Sequence, residues 1–288
     1  MDHDLSQWIG RAQTAVDWIT RSRVAAWHAT LDHVVETPRD GDAAPLGFHW
    51  TLAPQLARES ELGADGHPRR GGFLPPVALP RRLWAGSRVA FHQPLRVGDR
   101  VERESVIIAI DEKHGRSSAL VFVTVRHRFT TEAGLAIEEH QDLVYRKPPA
   151  PSARSANENA NAKAKTNGAD GATWRRIVHP TETLLFRYSA LTFNGHRIHY
   201  DRRYAEDVEG YGGLVVHGPL IATLLLDLMQ TQLPADRIAR FEFKAKRPTF
   251  DTSDFSVCGS PDRDGEYVLW STDNEGVRAV DARAWARQ

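Results

Sequence analysis

The 288-residue chain contains a single cysteine, Cys258. That excludes an internal disulfide framework and any cysteine-rich metal site, and it suits a reducing, cytoplasmic compartment. Long apolar runs are missing too: nothing approaches the ~20 residues that a membrane-spanning helix needs. The opening "MDHDLSQWIG" is acidic and polar, without the basic and apolar regions of a secretory signal. No sign of charge is in excess, because lysine plus arginine and aspartate plus glutamate stand at 37 each. Such a chain has no global field to draw in nucleic acid or an anionic membrane, and neither is expected as a partner. What it does have is material for a core, with hydrophobic residues at 41%. The length suits one large domain or two of ordinary size.

Large apolar side chains are almost absent from "KPPAPSARSANENANAKAKTNGADGAT", so this stretch cannot repay the entropy of folding. It reads as a flexible linker over 148–172, between an N-terminal half (1–147) and a C-terminal half (173–288). The halves tell related stories. "ITRSRVAAWHATLD" offers Ser22 as a helix cap, with Val24, Trp27 and Leu31 on one face. "HPTETLLFRYSALT" repeats the pattern with Leu184, Leu185, Tyr188 and Leu191. Each half then ends in strand-like runs split by turn chemistry, "EKHGRS" and "TEAG" in the first, "SPDRDG" and "DNEG" in the second. A helix followed by an antiparallel meander, occurring twice, points to internal duplication.

The halves differ in what they keep. "PLIATLLLDLMQ" in the second is apolar nearly all round, as a helix wrapped by a curved sheet should be. That is the hot-dog arrangement, and the expected fold class is α+β, two tandem hot-dog halves. In the first half the corresponding place is rich in Pro and Gly. Loss of the central helix there is expected to widen a cavity for a long ligand and to leave a degenerate active site.

"LTFNGHRIHYD", followed by "VVHGPL", resembles the active segment of the MaoC-like (R)-specific enoyl-CoA hydratases. Their pattern is Asp-x-Asn-Pro-Ile-His-x-Asp, then His-Gly at the start of the central helix. The resemblance implies His199 as the catalytic histidine, Asp201 as the final aspartate, and Gly218 as the glycine whose N–H meets the thioester oxygen. Asn194 stands where that family has its catalytic aspartate, and His196-Arg197 replaces Asn-Pro. "LPRRLWAGSRVAFHQPLRVGD" and "LVYR" extend the likeness to a two-domain subfamily with a fused N-terminal dehydratase-like half. It includes mesaconyl-C4-CoA (3-methylfumaryl-CoA) hydratases and mitochondrial-type 3-hydroxyacyl-thioester dehydratases.

Hydrating an α,β-unsaturated thioester needs a base for the attacking water, a proton for the α-carbon, and donors aimed at the charge growing on the thioester oxygen. His199 is the natural base. Gly218 at a helix N-terminus offers an unpaired N–H and the positive end of the dipole. Asn194 cannot exchange protons, so orienting the water or the His199 ring is its expected work. Asp201 either fixes the imidazole tautomer or caps the following turn. His217 is expected to help seat the glycine turn. Arg197, Arg81 and Arg82 are candidates for a substrate carboxylate, and Lys246, in "KAKR", for CoA phosphates. His196, His199 and His217 lack a placed carboxylate, and no metal is expected.

The expected protein is a hydro-lyase acting on an acyl-CoA thioester, with mesaconyl-C4-CoA to citramalyl-CoA as the implied reaction. No cofactor is expected beyond the CoA of the substrate, and a cytoplasmic homodimer is the expected form. Three alternatives stand beside it: a dehydratase of fatty chains on CoA or acyl carrier protein, a thioesterase, and a non-catalytic acyl-CoA-binding protein.

Overall fold

Ten antiparallel strands form one continuous sheet in the computed structural model, which describes residues 4–114, 119–147 and 171–287. The linker expected over 148–172 lies, but for Gly171 and Ala172, outside them. In chain order the strands are β1 (Ala12–Trp18), β2 (Arg81–Phe91), β3 (Arg100–His114), β4 (Ala119–Thr131), β5 (Gly134–Arg146), β6 (Trp174–Val178), β7 (Ile238–Ala245), β8 (Phe255–Pro261), β9 (Glu266–Thr272) and β10 (Arg278–Ala286). Across the sheet they run β1-β3-β4-β5-β2-β7-β10-β9-β8-β6. Read inward from either edge, the first, third, fourth, fifth and second strands of a half follow in the same order. The fold is a double hot-dog.

The halves meet where β2 pairs with β7, from Gly86 opposite Lys244 to Ala90 opposite Arg240. Gly86 permits that approach: a Cβ there would lie 2.3 Å from the Phe243 carbonyl oxygen.

Three helices are described: α1 (Arg21–Thr30), α2 (Glu182–Thr192) and α3 (Gly218–Gln230). Thr20, not Ser22, caps α1, because Thr20 is the extended residue whose hydroxyl accepts the Arg23 N–H at 3.2 Å. Thr181 caps α2 in the same way, at 3.1 Å from the Leu184 nitrogen. Trp27 of α1 reaches Tyr188 of α2, ring centroids 6.4 Å apart. The central helix α3 packs against β2, β6, β8, β9 and β10 and is buried from Pro219 to Met229. Its one charge, Asp227, is 5% exposed and pairs with Arg176 at 2.6 Å and His33 at 3.1 Å. Those partners are what make a carboxylate tolerable inside such a helix. No described helix is long and apolar enough to cross a membrane.

Between α1 and β2 the first half has only short 3-10 turns, Phe48–Thr51 and Glu59–Glu61, among its described elements. Phe48 and Leu52 enter the core there. What remains is a cavity of about 180 Å³ lined in part by His49, Arg103, His127, Glu139 and Gln141. The expectation of space for a long ligand is therefore corrected. The cavity is small, because apolar side chains of the turn take up the room that the helix leaves, and its wall mixes those polar groups with Trp50, Phe73, Leu74, Val125, Phe129 and Leu143.

Candidate active site

The polar cluster begins where α2 stops. Phe193 ends the helix in the left-handed region, φ 51°, and Asn194 opens a tight turn. The Asn194 N–H donates to Ser189 O at 2.8 Å, while its side-chain oxygen accepts the His196 N–H at 3.0 Å. A 3-10 turn, Arg197–His199, follows and buries Ile198 and His199. Asn194 thus shapes the loop and does not touch the His199 ring, which takes its orientation elsewhere. His199 Nδ1 donates to the Val215 carbonyl at 2.7 Å. This fixes the tautomer and leaves the lone pair on Nε2, which has no hydrogen-bond partner among the described residues. Burial, only partly opposed by the Val215 bond, lowers His199 to about 4.

His217 stacks on His199 with ring centroids 3.6 Å apart and hydrogen-bonds the Ser189 hydroxyl at 2.8 Å. It sits immediately before Gly218, so the His199 ring and the helix start are neighbours. Burial holds His217 well below its ordinary range, and both rings are neutral near pH 7. Gly218 opens α3 and Pro219 follows. The Gly218 N–H makes no backbone hydrogen bond among the described residues. A Cβ at 218 would meet only the Trp84 carbonyl, at 3.9 Å. Nothing in the protein's own packing demands glycine there.

A cleft of about 510 Å³ runs past this corner. Asn194 and Pro219 line it from the second half, and His67, Arg82, Trp84 and Arg103 from the first; His199, His217 and Gly218 lie behind these residues and do not themselves line it. It adjoins the inner cavity through Trp84 and Arg103, which border both.

Other candidates lie elsewhere. Arg197 is committed to Asp201, at 2.6 and 3.0 Å, and to the Ala64 carbonyl at 3.0 Å, with its guanidinium over Tyr204. It does not line the cleft. Asp201 pairs with Arg197 and accepts the Tyr204 N–H at 3.1 Å; it caps the following turn and does not hold the imidazole. Lys246 pairs with Asp281 on the sheet, away from the cleft lining. Arg81 is buried against Glu209 at 2.8 Å. Arg82, one residue on, faces the cleft and forms no ion pair among the described residues, as strand alternation directs.

Sequence reasoning missed the first half's contribution. Residues 61–69 fold into a closed turn, Leu62 bridging to Pro68 and the Gly63 N–H donating to His67 O at 2.7 Å. Its tip docks on the histidine loop. The Arg197 N–H donates to Asp65 O at 2.9 Å, and Gly66 lies on Gly195 so closely that a Cβ would fall 1.9 Å from the Gly195 oxygen. The docking brings Asp65 and His67 to His196, with the His67 and His196 ring centroids 4.2 Å apart. The only signal was "GADGHP", a turn sequence carrying an aspartate and a histidine. Gly66→Ala, at φ +84° and against backbone, is expected to lower Tm by several degrees and to cost most of the activity. Thermal unfolding with wild-type Tm would show that the docking is not tight.

The profile of the family described as hydroxyacyl-thioester dehydratase type 2 matches residues 47–251. The chain belongs to that family, and with it to the hydro-lyases. It is 44% identical over 281 residues to the mesaconyl-C(4)-CoA hydratase of Chloroflexus aurantiacus, an alignment covering 97% of this chain and 96% of that one. Among solved structures it is similar to a MaoC-like dehydratase, with TM-score 0.71 and 15% identity over 99% of both chains. A Mycobacterium tuberculosis protein described as having a double hotdog fold matches with TM-score 0.57 and 14% identity over 96% of both.

Proposed function

We propose that the chain adds water reversibly across the double bond of mesaconyl-C4-CoA to give citramalyl-CoA. His199 is the base, the Gly218 N–H the donor to the thioester oxygen, and Asn194 the residue that shapes the loop between them. The name of the 44%-identical relative supports the substrate. The observation that carries the reading is the Arg82 guanidinium in the cleft beside that corner, in no ion pair among the described residues although the Asp65 carboxylate and the Tyr145 hydroxyl lie near it. Mesaconyl-C4-CoA bears a carboxylate on the carbon that water attacks, and a fork of N–H donors suits it. Arg103 is a poorer anchor because two carboxylates, Glu139 and Asp17, act on it, where Asp65 alone among the described carboxylates acts on Arg82.

A fatty-chain substrate is disfavoured by the inner cavity. Glu139 there accepts the Trp50 indole N–H at 3.1 Å. Burial would raise its carboxyl, but His49 and His127 outweigh that and hold it at about 2. An alkyl tail there would press against an ionised carboxylate and the Arg103 charge, neither of which a hydrocarbon can solvate.

Arg82→Gln is expected to lower kcat/KM for mesaconyl-C4-CoA by about ten- to a hundredfold, the worth of a charged hydrogen-bond pair. Crotonyl-CoA, which lacks the carboxylate, should lose far less. Equal losses on both, followed by absorbance of the enoyl thioester, would remove Arg82 as the anchor. On the same reading the enzyme works in the cytoplasm as a homodimer, which sedimentation velocity tests. It uses no cofactor beyond the CoA of its substrate.

A further inference from the structure

We propose that His67, oriented by Asp65, is a second catalytic group of the site, holding the attacking water from the first half in place of the carboxylate that position 194 lacks. The proposal rests on the hydration reading above.

A carboxamide at 194 cannot serve as a base, and the Asn194 side-chain oxygen is already used by the His196 N–H. His67 lines the same cleft as Asn194. One Asp65 oxygen accepts the His67 backbone N–H at 3.1 Å, and the other lies 3.3 Å from His67 Nδ1. The carboxylate so fixes the ring with Nδ1–H toward itself and the Nε2 lone pair free. Burial, and then the Arg82 charge, hold His67 at about 4 in spite of Asp65, so it meets water as a neutral acceptor. Its ring lies 4.2 Å from His196, which stands edge-on to His199 at 5.4 Å. Three first- and second-half side chains therefore converge on the corner where the base sits, held there by the Gly66–Gly195 contact.

The same cluster has the donor set of a metal site, since Asp65, His67 and His196 each offer an atom within 4.8 Å of the others. A cation is disfavoured there. The Arg82 guanidinium faces both histidines, and Asp65 spends both oxygens on His67. His67 Nε2, left free by that arrangement, can instead accept from a water at about 2.8 Å.

In the reaction the water donates one hydrogen bond to His67 Nε2 and loses its other proton to His199 Nε2 as its oxygen bonds the β-carbon. The double-bond pair moves to the α-carbon, and the thioester oxygen takes up charge at the Gly218 N–H. The His199 imidazolium then gives its proton to the α-carbon. Both histidines end as they began, and the β-carbon carries the hydroxyl.

The test is steady-state kinetics of full-length His67→Ala, His67→Gln and the double variant His67→Ala with Asn194→Asp on mesaconyl-C4-CoA, with Tm as the check on folding. His67→Ala should lower kcat by about a hundredfold with KM within about threefold. His67→Gln fills the space, keeps an acceptor, and should retain more activity. The added carboxylate at 194 should restore about tenfold of what His67→Ala loses, which a merely structural role for His67 would not allow. Wild-type kcat in both single variants overturns the proposal, as does the absence of any restoration by Asn194→Asp. Activity abolished by a chelator and returned by zinc would overturn it in favour of a metal centre. A wild-type enzyme inactive on every enoyl thioester would bring down the hydration reading and this inference with it, whereas an active wild type with an unaffected His67→Ala sinks the inference alone.

Discussion

His199→Ala is expected to lower kcat on mesaconyl-C4-CoA by about two to four orders of magnitude, the usual cost of a lost general base. The ring is 7% exposed, and truncating it leaves a small gap beside His217, so a modest drop in Tm should accompany the loss. Activity and folding separate in this variant because two backbone hydrogen bonds hold the loop without the imidazole, Val215 N–H to Ile198 O at 2.9 Å and His199 N–H to His196 O at 3.1 Å. The acid limb of the wild-type pH profile gives an independent check. A base works only when unprotonated, and burial lowers His199 to about 4. Hence kcat/KM should rise as pH climbs through about 4 and already be level at pH 6.5, where an ordinary histidine is only half deprotonated. An acid limb centred near 6.5 would mean that the titrating group is a solvated histidine. Near-wild-type kcat in His199→Ala would remove it from the mechanism altogether.

The corner where the His199 loop meets the start of α3 was legible in the sequence because its parts are local. A histidine five residues after the asparagine that opens the turn, and a His-Gly pair opening an apolar run, each fix their own backbone with near neighbours. The doubled β blocks were legible for a similar reason, since turn residues and strand lengths repeat within each half. What the sequence concealed depends on distance or on a choice of face. Adjacent Arg81 and Arg82 must point to opposite sides of β2, but alternation alone does not tell which side is the cleft. Arg197 and Asp201 stand four residues apart, a pairing the spacing allows, yet a competing substrate role was equally compatible with it. The contact of His67 with His196 joins positions far apart in the chain through the bare backbones of Gly66 and Gly195. No periodicity records such an approach. The reading of the first half as a spent copy overlooked it, because the loop that replaced the central helix is short on regular structure and carries its chemistry in two side chains.

Gly218→Ala tests the other side of the reacting corner and should separate stability from catalysis more sharply than any other change. The added methyl meets only the Trp84 carbonyl, 3.9 Å away, an ordinary contact, and no left-handed backbone is required at 218. Alanine is also the better helix former, so α3 should start as before and Tm should hold or rise slightly. The N–H itself survives the substitution. What changes is the space in front of it, where a thioester oxygen must come within about 3 Å to feel the donor and the end of the helix dipole. If the methyl keeps that oxygen away, the loss should match that of one oxyanion donor, about a hundred- to a thousandfold in kcat. The effect belongs on kcat because the charge being stabilised develops during the addition of water, while most of the CoA moiety binds elsewhere. A variant with unchanged Tm and unchanged kcat would place the thioester away from the start of α3, and His199 would then need a different partner for the enolate charge.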